Sequence, residues 1–134
     1  MGEDEMGVVE EREMMRRMAV AAAAEAVRLV EKTVGPVSAA VVGSYARGDF
    51  NQWSDVDLLV VSPRFDPNPL NRFEQVVEVL KKFPSLEIIP LTLREFERQR
   101  RLKTPLAMEA IGRGVVLKDA FNILGRGTSS PEEA

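Results

Sequence analysis

Gly43-Ser44 and Asp55-Val56-Asp57, ten residues apart, are the positions in this chain whose types and spacing could do chemistry. A glycine clears space beside the backbone, and N–H groups at a helical turn opening on Ser44 form an anion site suited to phosphate. The apolar run before it (Val37, Ala39, Ala40, Val41, Val42) predicts a buried strand leading into that turn, which Gly48 can close. Asp55, Asp57 and Leu59 share one face of the next predicted strand, because side chains at i and i+2 point the same way. Two neighbouring carboxylates with no Lys or Arg between them repel each other. A divalent cation relieves that repulsion, and oxygen-only ligands favour Mg²⁺ or Mn²⁺. Gly-Ser alone is an ordinary turn and Asp-x-Asp alone a common solvated strand end, but together, between two apolar strands, they predict chemistry on a nucleotide. A P-loop is excluded: Gly43 and Gly48 have its GxxxxG spacing, but Asp49-Phe50 stand where Lys and Ser or Thr are needed.

The elements that must position these residues are legible in the pattern. From about Glu10, Met15, Met18, Ala19, Ala22, Ala26, Leu29 and Val30 recur at helical steps, and Gly35-Pro36 ends the helix. Its alanine-rich middle would let it approach a sheet closely. Strands are predicted at Val37–Val42 and Val56–Ser62, both apolar enough to be covered on two faces. Asn68 caps a helix with Pro69 as its first residue; that helix is expected to bury Leu70, Phe73, Val76, Val77, Leu80 and Phe83 and to stop at Pro84. Leu86–Leu91 predicts a third strand with one acid, Glu87, in an apolar run, which is costly unless that acid faces water, a donor or a metal. Thr92-x-x-Glu95 has the form of a capping box, Thr104-Pro105 starts a further helix ending near Gly112, and Val115–Lys118 is a short edge strand.

A length of 134 residues and 45% apolar composition predict one globular domain over 1–134, with 1–9 and 125–134 as flexible tails. With no Cys there are no disulfides or thiolate metal sites, and with no His, proton transfer falls to carboxylates, Lys or Tyr. Met1 leads into acidic residues rather than a basic, apolar leader, so the expected location is cytoplasmic, with no membrane partner. A formal net charge of −3 argues against a duplex nucleic-acid binder. The segment from Arg94 to Arg113 is locally basic; a solvated helical surface is the plain reading, and a docking face for an acidic partner or an RNA end the sharper one. Arg47 could neutralise a triphosphate or pair with Asp49 or another carboxylate. Trp53, the single Trp, is either core or a stacking surface for a base.

Within the longer stretch GSYARGDFNQWSDVDLLV, Gly43, Ser44, Asp55 and Asp57 resemble the signature of the minimal nucleotidyltransferases of the DNA polymerase β superfamily: Gly-Ser, about ten residues, then Asp-x-Asp. The likeness continues in weaker form from about Val37 to Asp119, where GVVLKD is similar to the closing strand of many small members. It implies an α/β (α+β) nucleotidyltransferase fold: a small mixed sheet of about four strands packed with helices, behind a long N-terminal helix. It further implies Mg²⁺- or Mn²⁺-dependent transfer of a nucleoside monophosphate, AMP from ATP by family default, to a hydroxyl acceptor. Asp55 and Asp57 would be the catalytic metal ligands, with Gly43, Ser44 and Arg47 binding the nucleotide. The family draws a third carboxylate from the strand beside Asp-x-Asp, which here makes Glu87 a metal ligand or proton acceptor, where many relatives place Asp. The ten-residue spacing is also similar to that of antitoxin members that pair with HEPN proteins. A HEPN-type partner and self-association are therefore the protein contacts to consider, with a toxin tyrosine as one possible acceptor. Two other readings stay open: a non-catalytic nucleotide- or partner-binding module, and the catalytic subunit of a two-component small-molecule transferase.

Overall fold

A computed structural model describes residues 2–125, with side chains from Gly7 onward. The elements run α1 (Gly2–Val34), β1 (Ser38–Val42), α2 (Ser44–Arg47), β2 (Val56–Val61), a 3-10 turn (Pro69–Asn71), α3 (Arg72–Lys82), β3 (Leu86–Leu91), α4 (Leu93–Leu102), α5 (Pro105–Gly112) and β4 (Val115–Asp119). The four strands form one mixed sheet in the order β3-β2-β1-β4. β1 is antiparallel to both β2 and β4, and β2 is parallel to β3. This is the mixed α+β sheet with a long leading helix that the resemblance implied.

The sheet separates two apolar layers. On one face, Ala19, Ala23, Ala26, Val27, Val30 and Val34 of α1 pack with Val41, Leu58 and Val60 of the strands and Val76 and Val79 of α3. Alanines at those positions let the helix lie close to the sheet, as its composition predicts. On the other face, Ala40, Val42, Leu59 and Val61 meet Phe96 of α4, Ala107 and Ala110 of α5, and Ile123 and Leu124. Every residue of β1 is buried, as is all of β2 except half-buried Asp57. β3 and β4 are the edges, and Pro90 is tolerated in β3 because an edge strand has a side with no ladder to complete.

The local signals hold where a side chain satisfies backbone groups. Asn68 accepts from the Leu70 amide with Pro69 at the first helical position. Thr92 and Glu95 form the reciprocal capping box, and Thr104 caps α5. Three expectations are corrected. α1 begins at Gly2 rather than near Glu10, so the backbone of residues 2–9 is helical. Leu70 and Phe73 are 85% and 60% exposed, because the 3-10 turn delays α3 until Arg72 and the inward face runs Arg72, Val76, Val79. Met18 lies beside the Ala19–Ala23–Ala26 face rather than on it and is exposed. The tail expected at 125–134 lies, beyond Gly125, outside the described residues.

Among the described residues no helix is long and apolar enough to cross a membrane.

Candidate functional site

The site is built where β1 and β2 meet at one end of the sheet. β1 ends at Val42, which is paired across the ladder with Asp57. The chain then turns at Gly43, with φ 75° and ψ −151°, into the single-turn helix α2, which Gly48 closes in the left-handed conformation. The Gly43 dihedrals lie in a region that only glycine occupies without strain. Space demands glycine there as well: a Cβ at position 43 would lie 3.1 Å from Asp57 Cγ and nearer still to Oδ2. The glycine of the first signal thus makes room for the second carboxylate of the other. Gly43→Ala is accordingly expected to cost about 1–3 kcal/mol of stability from strain alone, and to displace the Asp57 carboxylate. Urea unfolding and the transfer rate measure the two effects; a variant normal in both would show the turn to be permissive.

Asp57 is the half-buried member of the cluster, on the sheet face that carries Leu59 and Val61. Its register partner on the neighbouring parallel strand is Glu87, so both carboxylates project from the same face. Asp55 precedes β2 by one residue and is exposed, as is Glu87. None of Asp55, Asp57 and Glu87 is paired with Lys or Arg among the described residues. Burial first, then the charges of Glu87, Asp55 and Glu109, push the Asp57 carboxyl above the ordinary Asp range. The structure therefore brings Asp57 and Glu87 side by side and leaves Asp55 on the approach to the strand. No three carboxylates stand together in metal-holding geometry among the described residues. The donor chemistry nonetheless fits a divalent cation: oxygen ligands of one sign, unpaired, with one fixed against the backbone and two exposed and able to turn.

Ser44 opens α2 half-buried, and its hydroxyl has no hydrogen-bond partner among the described residues. Arg47 is braced at the far end of the turn, donating to Glu109 at 2.9 Å and Asp49 at 3.4 Å. This is the carboxylate-pairing arrangement of the two that the sequence allowed. Trp53 does not enter the core. It is 83% exposed on a turn closed by Asn51 and Ser54, where the Asn51 amide donates to Ser54 Oγ and the Trp53 amide to Asn51 Oδ1.

Glu109 is the residue that sequence reasoning missed, and no local signal marks it. It joins the site because α5 packs over β1 with Ala107 and Ala110 inward, which turns Glu109 toward Arg47 and within electrostatic reach of Asp57.

Comparisons with known proteins bear on this geometry. A family model described as a nucleotidyltransferase domain matches residues 24–111, a span holding Gly43, Ser44, Asp55, Asp57, Glu87 and Glu109. A structure assigned as a nucleotidyltransferase from Sulfolobus solfataricus is similar at 25% identity and a TM-score of 0.56, covering 65% of this chain and 78% of that one. A toxin–antitoxin structure with AMP-PNP is similar at 14% identity and a TM-score of 0.53, over 82% of this chain and 87% of that one. A mutant of the MntA-HpeT toxin–antitoxin gives 14% and 0.51, over 80% and 84%. At that identity the last two show a shared fold. The comparison with curated proteins gave no significant match. With the family model spanning most of the chain and the motif inside it, the protein belongs to the nucleotidyltransferase domain family.

Proposed function

We propose that this nucleotidyltransferase moves AMP from ATP, with Mg²⁺ or Mn²⁺, to a hydroxyl of a partner protein, with a tyrosine of a HEPN-type toxin as the acceptor. The observation that carries the reading is the in-register pair Asp57 and Glu87 beside the Gly43–Ser44 turn: unpaired carboxylates facing a segment suited to phosphate. Asp57, with Asp55 and Glu87, would hold the cation, which when bound would supply Lewis-acid stabilisation of the triphosphate. Ser44 would hold the terminal phosphates, where charge builds as pyrophosphate leaves. The acceptor oxygen forms a bond to the α-phosphorus, the α–β phosphoanhydride bond breaks, and the hydroxyl proton passes to a carboxylate, for which exposed Glu87 is the candidate. Trp53, held out on its closed turn two residues before Asp55, suits stacking on a base.

The partner rests on separate support. Two structural neighbours are toxin–antitoxin assemblies, one of them with AMP-PNP, and the ten-residue motif spacing is similar to that of antitoxin members. The exposed basic run Arg98, Arg100, Arg101 and Lys103, with exposed Leu102 among it, suits an acidic partner surface. Incubating the chain with the candidate toxin, ATP and Mg²⁺ should add one adenylyl group to the toxin, read by intact mass, and none with a chelator. A toxin left unmodified while ATP is consumed would reject this acceptor and keep the transferase. No ATP turnover with any acceptor would favour a binding module.

A further inference from the structure

α2 is a single helical turn, and one turn does not hold itself together: nucleating a helix fixes several residues for one hydrogen bond. The end of the turn also leaves carbonyl groups without intrahelical partners. The long helix α1 supplies what is missing. Arg12 donates from Nη1 to the Phe50 carbonyl and from Nη2 to the Gly48 carbonyl, both at 2.9 Å. One helical turn further on, Arg16 Nε donates to the Tyr45 carbonyl at 3.1 Å. The Arg12 guanidinium also lies over the Phe50 ring, 4.3 Å from its centroid, and that ring stacks on Tyr45 at 4.2 Å with 12° between planes. Both rings are buried. Arg12 and Arg16 stand four residues apart, so they lie on one face of α1. Positive groups at the C-terminal end of a helical turn satisfy its carbonyls and suit its dipole. Arg17, adjacent in sequence, makes no such bond among the described residues.

We propose that Arg12 and Arg16 are positioning residues for the nucleotide site: from α1 they grip the Tyr45–Phe50 segment by three carbonyls and thereby hold Ser44 in place relative to Asp57. They touch neither substrate nor cation. The effect on nucleotide rests on the transfer reading above, while the clamp itself does not. The planar fork of Arg12 reaches two carbonyls and a ring face at once, which a lysine cannot reproduce.

The test uses the full chain with Arg12→Gln, Arg16→Gln, Arg12→Lys and, as a charge control, Arg17→Gln. Hydrogen exchange without nucleotide reads the amides of Ala46, Arg47, Gly48 and Asp49, which bond to the Gly43 and Ser44 carbonyls. In Arg12→Gln these should exchange about tenfold faster, the scale of losing hydrogen bonds from a charged donor, while β1 and β2 keep their protection. The Kd for Mg-ATP should rise by a similar factor, with Arg12→Lys between wild type and Arg12→Gln, and Arg17→Gln unchanged. Unchanged exchange at 46–49 in both glutamine variants would overturn the clamp, and so would equal loss of protection across β1 and β2, which would mark a general folding role. Should the wild type fail to bind Mg-ATP, the transfer reading falls, and the exchange result still decides the clamp.

Discussion

Replacing Asp57 by Asn is expected to cut nucleotidyl transfer by about 10³-fold, the upper end for losing one preorganised electrostatic group, while leaving the fold as stable as before or slightly more so. Asp57 is the one carboxylate of the site that cannot turn away. It is paired with Val42 across the ladder, registered beside Glu87, and lodged where Gly43 lacks a side chain. Burial and three acids of like sign raise its pKa, so its charge costs the folded state free energy in the absence of a cation. Asn keeps the shape and removes that cost along with the ligand. Glu87→Gln should lose less, about 10²-fold as for a single acid–base group, because Glu87 is exposed on an edge strand. Labelled AMP transfer and thermal unfolding of the apo proteins check both. A strongly destabilised Asp57→Asn would mark the residue as structural, and near-normal transfer would remove it from the chemistry.

What could be read in the sequence is what depends on neighbours in the chain. The i and i+2 relation put Asp57 and Leu59 on one face, Thr92-x-x-Glu95 gave a capping box with both of its hydrogen bonds, and the apolar runs became strands within a residue or two. From its own residues Glu87 is legible as an acid in an apolar strand, and its place beside the Asp-x-Asp strand comes from the family resemblance; the parallel register that pairs it with Asp57 is a tertiary fact. Glu109 was out of reach for the same reason, since its place depends on how α5 lies over β1. Arg12 falls near the start of the expected helix, the one basic residue among acids, and nothing local says that its guanidinium meets the carbonyls of residues 48 and 50. Leu70 and Phe73 mislead in the opposite direction: hydrophobic residues on a helix suggest a core face, but the face is set by where the helix starts, and it starts at a charged residue.

That residue, Arg72, carries the largest expected effect on stability: Arg72→Ala should cost about 3–5 kcal/mol, the scale for removing one partner from a buried charged pair, out of a total of roughly 5–15 kcal/mol for a domain. Its side chain is 3% exposed. The guanidinium donates to the carbonyls of Asp66 at 2.7 Å, Pro67 at 3.3 Å and Pro90 at 3.0 Å, and bidentately to Glu95 at 2.8 and 2.9 Å. These five bonds use the five N–H donors of the group. They tie the loop after β2, the edge strand β3 and the start of α4 to the head of α3. Glu95 in turn accepts from the Thr92 amide, so the capping box of α4 hangs on the same charge. Alanine would leave three carbonyls to find water in a closed space, and Lys, without the fork, should recover only part of the loss. Arg72 also holds the Glu95 carboxyl below the ordinary Glu range. A carboxyl lowered in the fold adds stability above its unfolded pKa and loses it as pH falls through the folded one, so wild type should weaken with acid in that window and Arg72→Ala should weaken less. Glu95 is 37% exposed, so solvent screens this part and the lost backbone bonds dominate. Urea unfolding at neutral and acid pH measures both, and a loss under about 1 kcal/mol for Arg72→Ala, the size of an ordinary surface pair, would show that water replaces the guanidinium at all three carbonyls.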